Sequence, residues 1–430
     1  MSSDIINVSE FCITGDDILK KLSAYWRVLI ILLICSAVMG LAWFFPNLCD
    51  RYTDSIFYNI CNGVSRATGF VPFAIGEIIM YIGIAGTVLA VIFLLLLIFL
   101  RKKDRYRRFC AVYFKTLLMA IVCTVFIYMP TWYIPFCGTV LGKGETDART
   151  EFNPDEIEKL VRYSVDGINS AADEIEISFD GTVIFPTEED TRYLIADAMR
   201  SMGEEFPRLN GYYPPVKTAL CSDILDRMGI GGYNYPFTME PTRSKYQSPL
   251  DRIVIDAHEL AHHKGYFLEN EAEMLSIVAL TQSPDPYLRI AGFDALYWWI
   301  CDSYYENIDV EMRKEFDRMI ESGELDVHLP TESIEESERA EEAMQFLYDK
   351  YYKNEPQISE RAQMIFDASN DIENEIFDED EHIIDEMPAV NDAITVTADV
   401  GWDIQEDILE ENCYDGAVLL LLQYYDGKLY

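Results

Sequence analysis

The chain has 430 residues, half of them hydrophobic, and a formal net charge of −39. Those figures coexist only if charged and apolar residues are segregated, and they are: residues 1–136 carry 12 Lys/Arg and 8 Asp/Glu, whereas residues 137–430 carry 22 and 65. A segment of net charge −43 repels polyanions, which excludes nucleic acid as a partner and favours basic peptides among peptide or protein substrates.

Residues 1–27 read as a cytoplasmic N-terminal arm containing Lys20, Lys21 and Arg27. Three uncharged apolar stretches follow, 28–45 (18 residues), 78–100 (23 residues) and 116–136 (21 residues). Each has, or nearly has, the length needed to cross a hydrocarbon layer about 30 Å thick. Three in succession argue against buried core helices. A signal peptide would need a small-x-small cleavage site, and none follows Phe45. Trp43, Tyr128, Trp132 and Tyr133 sit near span ends, as interfacial aromatics do.

Residues 101–108, between the second and third stretches, hold six basic residues, while the loop 46–71 holds only Arg51 and Arg66. The positive-inside rule then expects a multi-pass plasma-membrane protein. Residues 28–136 would be a three-helix anchor in the lipid bilayer, the N-terminus cytoplasmic, and residues 137–430 extracytoplasmic. Cys49, Cys61, Cys137, Cys221, Cys301 and Cys413 would lie outside; six cysteines allow 15 pairings, and none has C-x-x-C spacing.

In the acidic segment, 156–170 has helical period. Residues 175–185 have strand character broken by a turn at Asp180-Gly181, and 188–202 returns to a helix with an acidic first turn. Residues 210–215 form a turn or extended segment. Residues 228–237 are glycine-rich, then aromatic, and end in Pro236-Phe237. They fit an ordinary loop and edge strand. They equally fit a strand above a metal cleft, where Gly232, Tyr233, Asn234 and Tyr235 would bind an extended peptide. Their place just ahead of the next motif favours the second reading.

That motif is His258-Glu259-Leu260-Ala261-His262, or H-E-x-x-H, in a chain with five histidines. One helical turn places both imidazoles on one face, within reach of a single zinc ion, with Glu259 beside it as general base. Catalytic zinc takes three protein ligands and keeps one open position. The position six residues beyond His262 is Leu268, so a third histidine at metzincin spacing is absent. Glu269 and Glu273 share a helix face. Glu269 fits the third ligand and Glu273 the carboxylate that orients a ligand histidine. Glu271 points roughly 160–200° away from that pair and stands as the alternative ligand.

Further on, 270–280, 287–307, 334–352 and the stretch from 359 onward read as helices, with Trp298 and Trp299 as core aromatics. Residues 371–386 hold nine acids and no Lys/Arg, as a solvated loop would. Residues 413–425 read as a short buried helix.

Three spans, then Met228-Gly229-Ile230-x-Gly232-Tyr233-x-x-Pro236-Phe237-Thr238, then His258-Glu259-Leu260-Ala261-His262-x-x-Gly265-Tyr266 and Glu269-Asn270-Glu271-Ala272 resemble the bacterial membrane proteins catalogued as domain of unknown function 3810. The resemblance implies a zinc-metallopeptidase-like outer domain on a membrane anchor. The chain departs from it at Glu273, where the family usually has Asn. The expected architecture is three N-terminal transmembrane helices followed by a mainly helical α+β zincin-like domain of gluzincin type with a small sheet. The expected activity is zinc-dependent peptide hydrolysis, and the competing reading is a non-catalytic zinc-containing binding or sensor module at the cell surface. Tyr233, Tyr235, Tyr266 and His263 are unranked candidates for an oxyanion donor.

Overall fold

A computed structural model describes residues 23–141, 149, 151–328, 334–353, 355–379 and 415–430. Cys413, His382 and residues 380–386 of the acidic run, together with Lys20 and Lys21, lie outside the described residues. The chain divides into two compact units. The first comprises the residues up to Ile60, Ile75–Thr139 and Tyr235–Met239; the second comprises Cys61–Ala74, Val140–Asn234 and Glu240–Tyr430.

The first unit contains α1 (Ala24–Met39), α2 (Pro46–Tyr52) and the first residues of α3 (Tyr58–Thr68), then α4 (Ile75–Leu100) and α5 (Asp104–Tyr128). Three helical segments are long and apolar enough to cross a membrane: Ala24–Phe44, Ile75–Leu100 and Asp104–Phe136, with mean hydropathy 2.3, 3.0 and 2.2. The third starts twelve residues before the apolar stretch, so Arg105, Arg107 and Arg108 occupy its first turns, and only residues 101–103 remain a turn. A helix can carry these charges because long basic side chains reach towards water from an end. The Tyr235 ring lies where a Cβ on Gly76 would be, 2.3 Å from its Cγ, so that glycine makes room for the aromatic.

The second unit is mainly helical. α6 (Pro154–Glu174) starts at a capping box, in which the Asn153 side chain accepts from the Glu156 amide and the Glu156 carboxylate accepts from the Asn153 amide. α7 (Glu188–Ser201) repeats the device with Thr187 and Asp190. A short α8 (Ser222–Arg227) follows strand β1 (Lys217–Thr218). Next come β2 (Gly232–Tyr235), β3 (Glu240–Arg243), α9 (Pro249–His263) and α10 (Glu269–Thr281). α11 (Pro286–Glu321), α12 (Ile334–Tyr351), α13 (Glu360–Glu379) and α14 (Asp415–Tyr425) complete it. The sheet order is β1-β3-β2, with β1 parallel to β3 and Lys217 opposite Thr242.

α10 is the centre of the core: every residue from Asn270 to Thr281 is buried. A helix buried on all sides needs neighbours all round, and α9, α11, α7 and α14 pack against it. A second, smaller cluster joins the end of α11 to α12 through Met312, Phe316, Leu325 and Leu347.

Four expectations change, the first at Trp298, which is 66% exposed and not a core aromatic because the phase of α11 turns only its neighbour Trp299 inward. Residues 175–185 form one antiparallel bridge, Ile177–Val183, about a turn where Gly181 has φ +89°, not a strand pair. Residues 228–231 are not strand; Gly229, at φ +64°, follows the end of α8, and regular pairing begins at Gly232. The described part of the acidic run, residues 371–379, is the end of α13 and not a loop. The reason is visible in Ala362 and Ile365, which are fully buried and anchor this helix against the core.

α10 and α11 approach closely at Gly292, where an added Cβ would lie 2.6 Å from Leu280 Cβ and 2.8 Å from the Thr281 amide nitrogen. Backbone cannot yield as a side-chain tip does, so Gly292→Ala is expected to cost about 1–3 kcal/mol. Gly63→Ala, with nothing within 4 Å of its Cβ position on α3, is expected to be neutral or mildly stabilising. Thermal denaturation of the full chain in detergent compares the two.

Candidate metal centre

The centre is built on the reversal between α9 and α10. Ser248 caps α9 by accepting from the Asp251 amide, and Pro249 occupies the first turn. At the other end Gly265 has φ +91°, the Gly265 amide donates to the His262 carbonyl, and the Tyr266 amide donates to the Ala261 carbonyl. This pair of bonds is a Schellman closure, which needs a left-handed residue and so favours glycine. Three residues after Tyr266, α10 begins at Glu269, whose carboxylate therefore sits at a helix N-terminus, where negative charge is favoured.

His258, His262 and Glu269 converge, with one donor atom from each lying within 4.8 Å of the others. Glu269 Oε2 is 3.0 Å from His258 Nε2 and 3.4 Å from His262 Nε2. The two rings are nearly perpendicular, at 87°, with centroids 4.6 Å apart. Each ring is fixed from behind. His262 Nδ1 donates to the Tyr266 carbonyl at 2.8 Å. His258 Nδ1 donates to Glu273 Oε2 at 2.7 Å, and the other oxygen of Glu273 accepts from Trp299 Nε1 at 2.7 Å. A carbonyl only accepts, so Nδ1 of His262 carries its hydrogen and, in the neutral ring, Nε2 presents a lone pair to the triad.

The charges are balanced within the cluster. Burial disfavours the ionised carboxylate, but His262 and His258 outweigh it and hold Glu269 well below the usual carboxylate range. Burial likewise disfavours the imidazolium, but the bonds from Glu269 and Glu273 raise His258 well above the ordinary imidazole value.

Glu259 is 3% exposed, and its Oε2 has no hydrogen-bond partner among the described residues. Burial pushes its carboxyl up to about 7, against the pull of His262 and His258. β2 runs directly over it: a Cβ on Gly232 would meet Glu259 Oε1 at 2.7 Å and the Thr242 carbonyl at 2.9 Å. β2 is the edge strand next to β3, and β3 packs on α9.

The remaining candidates fall elsewhere. Glu271 accepts from the Leu141 amide at 2.8 Å and is not part of the converging group. His263 is 1% exposed and packs on Cys61, whose Sγ lies 3.4 Å from Nε2. Tyr266 serves through its carbonyl. Tyr235 belongs to the first unit, against Gly76, while Gly232, Tyr233 and Asn234 belong to the second.

Two features had no sequence signal. Trp299 looks like any core aromatic until the phase of α11 directs its indole N–H at Glu273. Two residues ahead of His258, Asp256 accepts from Arg243 Nη1 at 3.1 Å, and Arg243 also pairs with Glu188. Burial lifts Asp256 to about 6, against the pull of Arg243. This ion-pair network ties β3, α7 and α9 together.

The chain belongs to the family described as "Protein of unknown function (DUF3810)", whose profile matches residues 52–378. No curated protein and no solved structure matches it.

The geometry separates the three glutamates of α10. Glu269→Gln is expected to abolish tight zinc binding by the full chain, and Glu271→Gln to leave it intact. Glu273→Gln and Trp299→Phe are expected to weaken it, by about 10–100-fold for the carboxylate, as loss of a ligand's orienting partner does. Competition against a zinc-chelating dye measures all four; zinc retention by Glu269→Gln would show that this carboxylate is not a ligand.

Proposed function

We propose that this protein is a membrane-anchored zinc metallopeptidase of gluzincin type, in which His258, His262 and Glu269 hold zinc and Glu259 is the general base. The observation that carries the reading is the pair of imidazole Nε2 atoms and one carboxylate oxygen facing a common point, beside a buried carboxylate with an unpartnered oxygen. Two imidazoles and a carboxylate form a donor set suited to zinc with an open fourth position. Zinc held there supplies Lewis acidity to a scissile carbonyl and to the attacking water.

The chain's own residues do the rest. Glu259 accepts the proton of the attacking water at a carboxylate oxygen and delivers it to the leaving amine nitrogen. Glu273 and the Tyr266 carbonyl keep the imidazoles in the ligating tautomer. The Gly232 backbone, passing above Glu259 on an edge strand, is placed to pair with an extended peptide and hold its carbonyl over the site. A pure binding or sensor module needs the three ligands but not Glu259.

Orientation follows from the basic residues at 101–108: the N-terminus faces the cytoplasm and the second unit lies outside.

Two measurements test these readings. Glu259→Gln is expected to retain about one zinc per chain and to lose hydrolysis of a quenched-fluorescence peptide library by about 100-fold or more, in line with the usual worth of a general base. Zinc binding with no hydrolysis by the parent chain would favour the non-catalytic module. Separately, an alkaline phosphatase fusion after Tyr430 is expected to be active outside the cell, and activity confined to a cytoplasmic reporter would reverse the topology.

A further inference from the structure

α9 and α11 enclose a trough of about 280 Å³ beside the metal centre. Its floor is the α9 face that leads to the ligands: Asp251 and Ile255 line it, and His258 lies three residues beyond Ile255 on that face. At 1.5 Å rise per residue, the trough begins about 5 Å from the His258 backbone and reaches Asp251 at about 10 Å. Asp294, Trp298 and Trp299 of α11 form the facing wall, and Glu273, the carboxylate behind His258, closes the inner end.

The charges here are one-sided. Asp294 makes no hydrogen bond or ion pair among the described residues, and Asp251 accepts from the Ser248 hydroxyl at 2.8 Å. Among the described residues, no Lys or Arg lines the trough. Arg252, the nearest basic residue in sequence to Asp251, donates instead to the Pro186 carbonyl at 3.1 Å. Burial, with the charge of Asp251, pushes Asp294 up to about 7, as expected of a desolvated carboxyl with no compensating cation. Glu373 of α13 is a further acid nearby, its carboxyl raised by burial and by the charge of Asp251. Other buried acids in this unit meet basic partners, as Asp256 does Arg243 and Glu240 does Lys217. The trough also offers aromatic surface: Trp298 is 66% exposed and stands edge-to-face on Trp299, with ring centroids 4.8 Å apart.

We propose that this trough is the specificity pocket for a lysine or arginine side chain of the substrate peptide, with Asp294 and Asp251 pairing its charge and Trp298 covering its stem. The assignment rests on the peptidase reading above for the peptide backbone that presents the side chain. The chemistry matches in three ways. A long aliphatic stem fits an apolar, aromatic-lined passage, and its cationic head reaches two carboxyls at the far end. A cation near an indole face gains further attraction. Pairing would also relieve the cost of a desolvated carboxylate.

The test uses the full-length Glu259→Gln chain in detergent, zinc-loaded, so that binding is read without cleavage. The probes are fluorescein-labelled Ala-Ala-Lys-Ala-Ala and its norleucine and glutamate counterparts, followed by anisotropy. The lysine peptide is expected to bind at least about 10-fold more tightly than the norleucine peptide, equivalent to roughly 1.4 kcal/mol, with the glutamate peptide weakest. Adding Asp294→Asn is expected to bring the lysine-to-norleucine ratio close to one at unchanged zinc content. Trp298→Ala, at an exposed position, is expected to reduce the ratio severalfold and serves should Asp294→Asn fail to fold. Equal binding of lysine and norleucine peptides, or a preference that survives both substitutions, overturns the pocket. Cleavage by the parent chain without preference for basic residues does so too, while leaving the peptidase reading intact. A retained lysine preference with no cleavage by the parent chain supports the pocket and sinks the peptidase.

Discussion

The left-handed turn at Gly265 is the constraint from which the centre follows. A Cβ there would oppose φ +91°, and without that turn the chain could not leave α9 and re-enter helix at Glu269 within five residues. The same closure turns the Tyr266 carbonyl back onto His262. One backbone conformation thus fixes a ring orientation, delivers a carboxylate to two imidazoles, and sends α10 into the core.

Sending α10 through the core has an electrostatic cost, because it carries Asn270, Glu271 and Glu273 into buried positions. Buried carboxylates persist only with compensating donors. Glu271 takes the Leu141 amide, and Glu273 takes an imidazole and an indole. Glu271 and Glu273 are therefore each tied to a partner outside the helix, which resists its rotation about its own axis. Asp294, on the neighbouring helix, has no such donor among the described residues, in contrast to Glu271 and Glu273.

Much of this was legible in the sequence because it depends on local periodicity. The three apolar helices, the H-E-x-x-H helix and the pairing of Glu269 with Glu273 follow from spacing along a single helix. The misreadings arise where tertiary contacts override local signal. Residues 175–185 have strand composition but pair only at Ile177–Val183, and the acidic 371–379 stretch is helical because Ala362 and Ile365 anchor its start. The crowding at Gly232 was hidden for a related reason. Several glycines stand near it in sequence, and only the crossing of β2 over Glu259 distinguishes the one that has no space for a side chain. Trp299 was similarly masked, since neither its neighbour Trp298 nor its composition reveals which indole faces inward.

The compactness of the centre along the chain bears on how it assembles. The proposed ligands and the two acceptors that orient them all come from residues 258–273, and the longest separation among their contacts is 15 residues; only Trp299, 26 residues from Glu273, comes from farther away. Loop-closure entropy grows slowly with length and is small for such a hairpin, and contacts this local form early relative to distant pairings. A helix–turn–helix of this kind can gather its donors before the sheet is complete, because β1 and β3 must first bring Lys217 to Thr242 across a longer span of chain. A cation captured by that hairpin would bias the order of folding, acting as a nucleus around which α11 and the edge strand β2 close.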